Sequence, residues 1–125
     1  MSNLLASIGC AIMDDVDAII EKRQDNVEIY NEILGLEWYA SSPHCYPVRY
    51  PSVEERDQAL ARLDAAGIES RKAFSSLPTH EKVYAHMGYK DGDFPIAEHI
   101  GDRTLFVPVH QNIGRKEIEK VTAQL

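Results

Sequence analysis

Along the first 34 residues, Leu5, Ile8, Ile12, Val16, Ile19, Ile20, Val27, Tyr30, Ile33 and Leu34 recur mostly every three or four positions. That is the period of one helix face. The pattern predicts a long helix from Leu4 to Leu34, with Ser2 or Asn3 capping its start and Gly35 closing its end in the left-handed conformation. Its halves differ. Leu4 to Met13 is apolar nearly all round and carries no charge, whereas Asp14 to Leu34 is amphipathic, with charges on the outer side. The first half therefore requires burial on several sides.

The pattern then breaks into shorter pieces. Glu37 to Pro51, with Trp38, Tyr39 and three prolines, reads as loop with one extended piece around Cys45 to Tyr50. Pro47 offers no N–H to a ladder and confines that piece to a sheet edge or bulge. Ser52-Val53-Glu54-Glu55 is a capping box opening a helix carried by Ala59, Leu60 and Leu63 and stopped at Gly67. Ile68 to Phe74 reads as a strand. Thr79 to Met87 reads as a short helix with Thr79 as cap and Gly88 as terminator. After the Asp91-Gly92 turn, Pro95 suits the first position of a helix running to about Gly101. Thr104 to Val109 is the strongest strand signal, with Pro108 drawing its far end out of the ladder. A last helix from about Gly114 turns Ile118 and Val121 inward. Three short strands among helices in 125 residues predict one α+β domain over residues 1–125, a small sheet packed with helices.

Charge changes the picture by exclusion. Thirteen Lys and Arg against twenty Asp and Glu leave a net charge of −7, and the basic residues are scattered singly or in pairs. Such a surface repels a nucleic-acid backbone, so no nucleic-acid partner is expected. Cys10 and Cys45 are far apart and form no CxxC, which suits a reducing cytoplasm. The apolar start has no basic region before it and acids directly after it, a poor signal peptide and too short to span a bilayer. Neither a secreted nor a membrane protein is expected. His44, His80, His86, His99 and His110 form no HxH or HExxH spacing, so no metal site is expected either, and His80 and His86 are expected to face solvent.

Two stretches carry a more specific signal. With Met1, Ser2, Asn3, Ala6, Ile8, Gly9, Val16, Asp17, Ile19 and Ile20 in that order, the first stretch resembles the helix that opens the C-terminal domain of the DegT/DnrJ/StrS family. These are pyridoxal-phosphate (PLP) dependent nucleotide-sugar aminotransferases. The second stretch holds Gly67-Ile68-Glu69-Ser70-Arg71, Phe74, Ser76-Leu77-Pro78-Thr79, Gly88-Tyr89-Lys90, Gly92-Asp93-Phe94-Pro95, Ala97-Glu98, Ile100-Gly101 and Val109-His110-Gln111. It resembles the perosamine-synthase-like branch. Between them, Leu36 to Pro51 is shorter than the family pattern. The resemblance implies the C-terminal small domain of a fold type I aminotransferase, without the large domain that carries the Schiff-base lysine and the cofactor-phosphate contacts.

The resemblance thus implies no catalytic residue and no bound cofactor in this chain alone, PLP being held by the large domain in full-length relatives. None of Lys22, Lys72, Lys82, Lys90, Lys116 and Lys120 lies in a segment resembling the family's lysine segment. For substrate, Ser75, Ser76 and Thr79 at a helix start, with the bidentate fork of Arg71, are candidates for weak contact with a nucleotide-sugar phosphate. The plainer readings are that Thr79 only caps a helix and that Arg71 pairs with Glu69 or Asp64. Gly88, Gly92 and Gly101 read as turn and cap glycines. The resemblance places the equivalent of Leu4 to Met13 under the large domain and its dimer mate. Uncovered, Leu4, Leu5, Ile8, Ile12 and Met13 form a patch expected to drive homo-oligomerisation or pairing with a full-length relative. Two readings stay open: an inactive part of an aminotransferase, and a stand-alone binding or assembly module.

Overall fold

The apolar periodicity of the first 34 residues does produce helix, but in two pieces. A computed structural model describes residues 3–74 and 77–125, with only the backbone at Thr79. Helix α1 spans Asn3–Met13 and α2 spans Val16–Leu34, so the single helix expected over Leu4 to Leu34 is corrected to two. At the break, the Asp15 N–H donates to the Ile12 carbonyl at 3.1 Å, and the Asp15 carbonyl accepts the first bond of α2, from Ile19. Aspartate is a poor helix-interior residue that is favoured at helix starts, where its charge meets the positive end of the dipole. Asp14, Asp15 and Asp17 supply that start. Gly35 closes α2 at φ 64°, and the Leu36 N–H reaches the Asn31 carbonyl at 3.1 Å.

The chain forms two compact units. The first holds Met1–Tyr46 with Val109–Ala123, the second Pro47–Pro108 with Gln124–Leu125. In the first, α2 packs against α5, Arg115–Thr122, and Val27, Tyr30, Cys45, Tyr46, Val109, Ile118 and Val121 are buried. Tyr46 stacks on Tyr30 with ring centroids 4.7 Å apart, and Trp38 meets the edge of Tyr46 at 5.3 Å. Burial pushes the Tyr30 hydroxyl well above its usual range, with Tyr46 adding to the shift.

The second unit contains most of a three-stranded sheet in the order β1 (Tyr46–Arg49), β3 (Thr104–Val107), β2 (Arg71–Lys72). β1 lies at an edge, as Pro47 requires. Helix α3, Val53–Ala65, begins as its capping box dictates, with the Glu55 N–H donating to the Ser52 hydroxyl at 3.1 Å. It lies against β3, and Ala59 and Leu63 are buried along with Val48, Leu105 and Val107. β2 is much shorter than the Ile68 to Phe74 strand expected. Its antiparallel register sets Arg71 opposite Phe106 and Lys72 opposite Leu105. Two residues further back, Glu69 would face Pro108, which has no N–H to pair.

Two other expectations are corrected here. Thr79 to Met87 is two 3₁₀ turns, Pro78–His80 and Lys82–Met87, separated by Glu81 in an extended conformation. Val83, Tyr84 and Met87 remain exposed; with no buried face, a longer α-helix has nothing to hold it. Gly101 is no cap. It sits buried inside α4, Pro95–Arg103, where an added Cβ would stand 3.1 Å from a Leu77 methyl. Gly88 at φ 80° and Gly92 at φ 96° do occupy turn positions that favour glycine.

Candidate functional site

Helix α1 is the most unusual surface of the first unit. None of its residues is buried, and Leu4, Leu5, Ile8, Ile12 and Met13 are 72, 59, 51, 50 and 64% exposed. Its eleven residues carry no charge. Within the helix the Ser7 hydroxyl donates to the Asn3 carbonyl at 2.9 Å, a local bond that ties α1 to nothing else. Five large apolar side chains on one uncharged helix form the kind of patch that marks a contact surface.

The proposed anion-binding residues are only partly placed. Ser75 and Ser76 lie outside the described residues, and so does the Thr79 side chain. The Thr79 backbone falls inside the 3₁₀ turn Pro78–His80 and not at a helix cap. That removes the α-helical N-terminus from the reading. Arg71 is exposed on β2, with its guanidinium carbon 6.0 Å from the Phe106 ring centroid. The pairing with Glu69 or Asp64 does not form among the described residues. Its fork is thus held loosely over an aromatic face.

Downstream of those turns the second unit holds a cluster not anticipated from the sequence. The Glu98 carboxylate accepts from the Gly92 N–H at 2.9 Å and from the Phe94 N–H at 3.4 Å, closing the turn that leads into α4. His80 Nε2 stands 3.6 Å from an Asp91 oxygen and 3.9 Å from a Glu98 oxygen, with its side chain 27% exposed. His80 and His86 are both exposed, as expected; His80 in addition borders two carboxylates, and His86 Nδ1 lies 3.0 Å from the Val83 carbonyl. No group of three or more His, Cys, Asp or Glu among the described residues is arranged to hold a metal ion.

In the first unit two polar residues on the inward side of α2 pin the loop before α5. Asn26, fully buried, donates from Nδ2 to the carbonyls of Val109, His110 and Ile113 at 3.2, 3.1 and 3.3 Å. Arg23 reaches the Gln111 side-chain oxygen at 3.2 Å and the Pro43 carbonyl at 3.3 Å. The signal was present. Arg23, Asn26, Val27 and Tyr30 share the i, i+3, i+4, i+7 stripe, and polar residues there need internal partners.

With this geometry in view, comparison with known proteins is informative. Residues 1–125 match the DegT/DnrJ/EryC1/StrS aminotransferase family. The chain is 34% identical over 139 residues to the GDP-perosamine synthase of Caulobacter vibrioides, covering 100% of this chain and 36% of that protein. Against the GDP-perosamine synthase of Vibrio cholerae the identity is 28% over 133 residues, with coverage of 97% and 35%. Among solved structures, the putative sugar aminotransferase Spr1654 from Streptococcus pneumoniae in its PLP form shares the fold. The TM-score is 0.85 at 24% identity, over 99% of this chain and 35% of that one. The chain spans about a third of the length of the relatives it matches. No helix among the described residues is long and apolar enough to cross a membrane.

Proposed function

Because the chain belongs to the DegT/DnrJ/EryC1/StrS aminotransferase family, we propose that it is the C-terminal small-domain part of a PLP-dependent nucleotide-sugar aminotransferase. It acts with a larger domain, in the cytoplasm, and is inactive alone. The observation that carries this reading is α1, an uncharged helix with five large apolar side chains at least half exposed. A helix of that kind is built to be covered by another polypeptide.

No lysine among the described residues is placed to hold PLP as an imine. Lys72, Lys82, Lys90, Lys116 and Lys120 are exposed and Lys22 is half-buried. A lysine that exchanges imines needs a desolvated amine in a pocket, and no lysine here is buried. No step of the reaction is therefore assigned to this chain. Its contribution is to support the site and to offer Arg71, with Ser75, Ser76 and Thr79 nearby in sequence, to a substrate phosphate. Such binding is weak in isolation, because half of the contacts are supplied elsewhere.

When nothing else covers α1, a second copy does. Burial of Leu4, Leu5, Ile8, Ile12 and Met13 contributes on the order of several kcal/mol before the entropy of association is subtracted. A symmetric dimer is the simplest closed arrangement. The test combines light scattering with PLP titration. The expected result is an oligomer that dissociates on Ile8→Asp plus Ile12→Asp, and no absorbance band of lysine-bound cofactor. A monomer at high concentration sinks the assembly reading. Turnover that disappears on changing a single lysine sinks the claim of inactivity.

A further inference from the structure

In the first unit a groove of about 380 Å³ is lined by residues of α2 and of the segment that follows it, among them Glu28, Leu36, Glu37, Trp38 and Tyr39. We infer that this groove docks an arginine-bearing segment of a partner polypeptide.

Three observations point to that occupant. The first is rigidity. Asn31 grips Trp38 from both sides, its Nδ2 donating to the Trp38 carbonyl at 2.8 Å and its Oδ1 accepting from the Trp38 N–H at 3.2 Å. The same Oδ1 accepts from the Tyr46 hydroxyl at 2.8 Å, and Tyr46 supports the Trp38 ring edge-on. Gln24 ties the far end of the segment by donating to the Ser41 carbonyl at 2.7 Å. The wall is set before anything binds, which lowers the entropic cost of docking.

The second observation is what the wall presents. Tyr39 is 78% exposed and Leu36 49%, a large aromatic and an aliphatic surface held out to solvent by a fixed backbone. The third is charge. Glu28 and Glu37 line the groove, and neither has a cationic partner among the described residues. Aromatic faces beside unpaired carboxylates are complementary to a cation with a flat, weakly hydrated head. A guanidinium meets that description better than an ammonium, because it stacks on an aromatic ring while its N–H fork grips a carboxylate. The net charge of −7 draws a basic partner in at longer range.

Trp38 is the only tryptophan, so its fluorescence reports on this groove alone. The experiment titrates the 125-residue chain with the blocked peptide Gly-Arg-Gly and with its citrulline and lysine counterparts. The expected result is a saturable Trp38 signal with the arginine peptide that weakens as salt is raised. Citrulline, the neutral analogue of the same shape, gives none, and lysine binds more weakly than arginine. The double variant Glu28→Gln plus Glu37→Gln lowers affinity about three- to tenfold, given the modest worth of exposed ion pairs, and Tyr39→Ala lowers it as well. All three positions are exposed, so folding is unaffected. No saturable signal, equal binding of the citrulline or lysine peptide, or unchanged affinity in the variants overturns the inference. None of these outcomes bears on α1, whose test is the oligomeric state.

Discussion

Replacing Asn26 by Ala tests whether one buried amide holds the first unit together. Its side chain is fully buried, and its Nδ2 lies within 3.3 Å of three backbone carbonyls, those of Val109, His110 and Ile113. An amide NH₂ has two hydrogens, so these three contacts share two donors. Alanine removes both and leaves the buried Val109 carbonyl, and the part-buried carbonyls of His110 and Ile113, without this donor. A hydrogen bond contributes about 0.5–1.5 kcal/mol net, and a stranded buried acceptor costs about 1–3 kcal/mol. The expected loss is therefore about 2–4 kcal/mol, a large part of the roughly 5–15 kcal/mol that holds a typical domain folded. With a urea slope of about 1–3 kcal/mol per molar, the unfolding midpoint falls by roughly 1–2 M. Asn26→Asp keeps the shape but replaces donors with acceptors facing the same carbonyls, so it is expected to be at least as damaging. A loss below about 0.5 kcal/mol for either variant, with an unchanged slope, would show that the loop before α5 is held by something other than Asn26.

Two further outcomes follow from local chemistry. Ser52→Ala removes the acceptor for the Glu55 N–H at the start of α3 and is expected to cost about 1 kcal/mol by denaturant unfolding; no change would mean that another group caps the helix. Glu32 is held below the usual carboxylate range by its hydrogen bond and then its charge contact with Arg115, and Glu117 by the Gly114 N–H and its own. Desolvation raises the Asp57 carboxyl, but Arg56 and Lys72 together outweigh it and the net shift is downward. Folded values below the unfolded ones mean that this stability is present above about pH 4.3 and is lost as pH falls through the folded values. Thermal scans are expected to show a midpoint that falls below about pH 4 and falls less steeply in Glu117→Gln; stability that rises on acidification would contradict the assignment.

Much of the fold was legible because specific residues left a specific backbone little choice. Ser52 with Glu55, Pro47 at the sheet edge, Pro108 at the end of β3, Gly35 and Gly88 at left-handed positions and Pro95 opening α4 all stand where the sequence puts them. What was not legible depended on tertiary supply and demand. Side-chain periodicity runs straight through Asp14 and Asp15, although the backbone turns there, because the pattern records faces and not backbone bonds. Thr79 to Met87 carries plausible helix formers, yet nothing in its own unit accepts Val83, Tyr84 and Met87. Of the anion site, only Arg71 and the Thr79 backbone are placed, and they are not gathered around a helix start. Glu98 was legible only as a residue of the Ala97-Glu98 pattern; its closure of the Gly92 to Phe94 turn and the approach of His80 both arise through chain folding.

Helix α1 invites a sharper test than oligomer size. Isolated helices shorter than about 12–15 residues are marginal in water, since nucleation fixes several residues for one hydrogen bond. α1 has 11 residues, no buried side chain and no acidic residue in its first turn, and Gly9 inside it costs about 1 kcal/mol relative to alanine. No ion pair compensates. Local propensity therefore does not account for this helix, and its stability has to come from whatever covers Leu4, Leu5, Ile8, Ile12 and Met13. Amide hydrogen exchange separates the two states. At low concentration the amides of 7–13 are expected to exchange almost as fast as an open chain, while those in the middle of α2, around Val27 and Tyr30, remain protected. As concentration rises, or when a covering polypeptide is added, protection of 7–13 is expected to grow together with the assembled fraction. Strong protection of 7–13 in a chain shown to be monomeric would mean that α1 is held from within, and the case for a docking helix would fail.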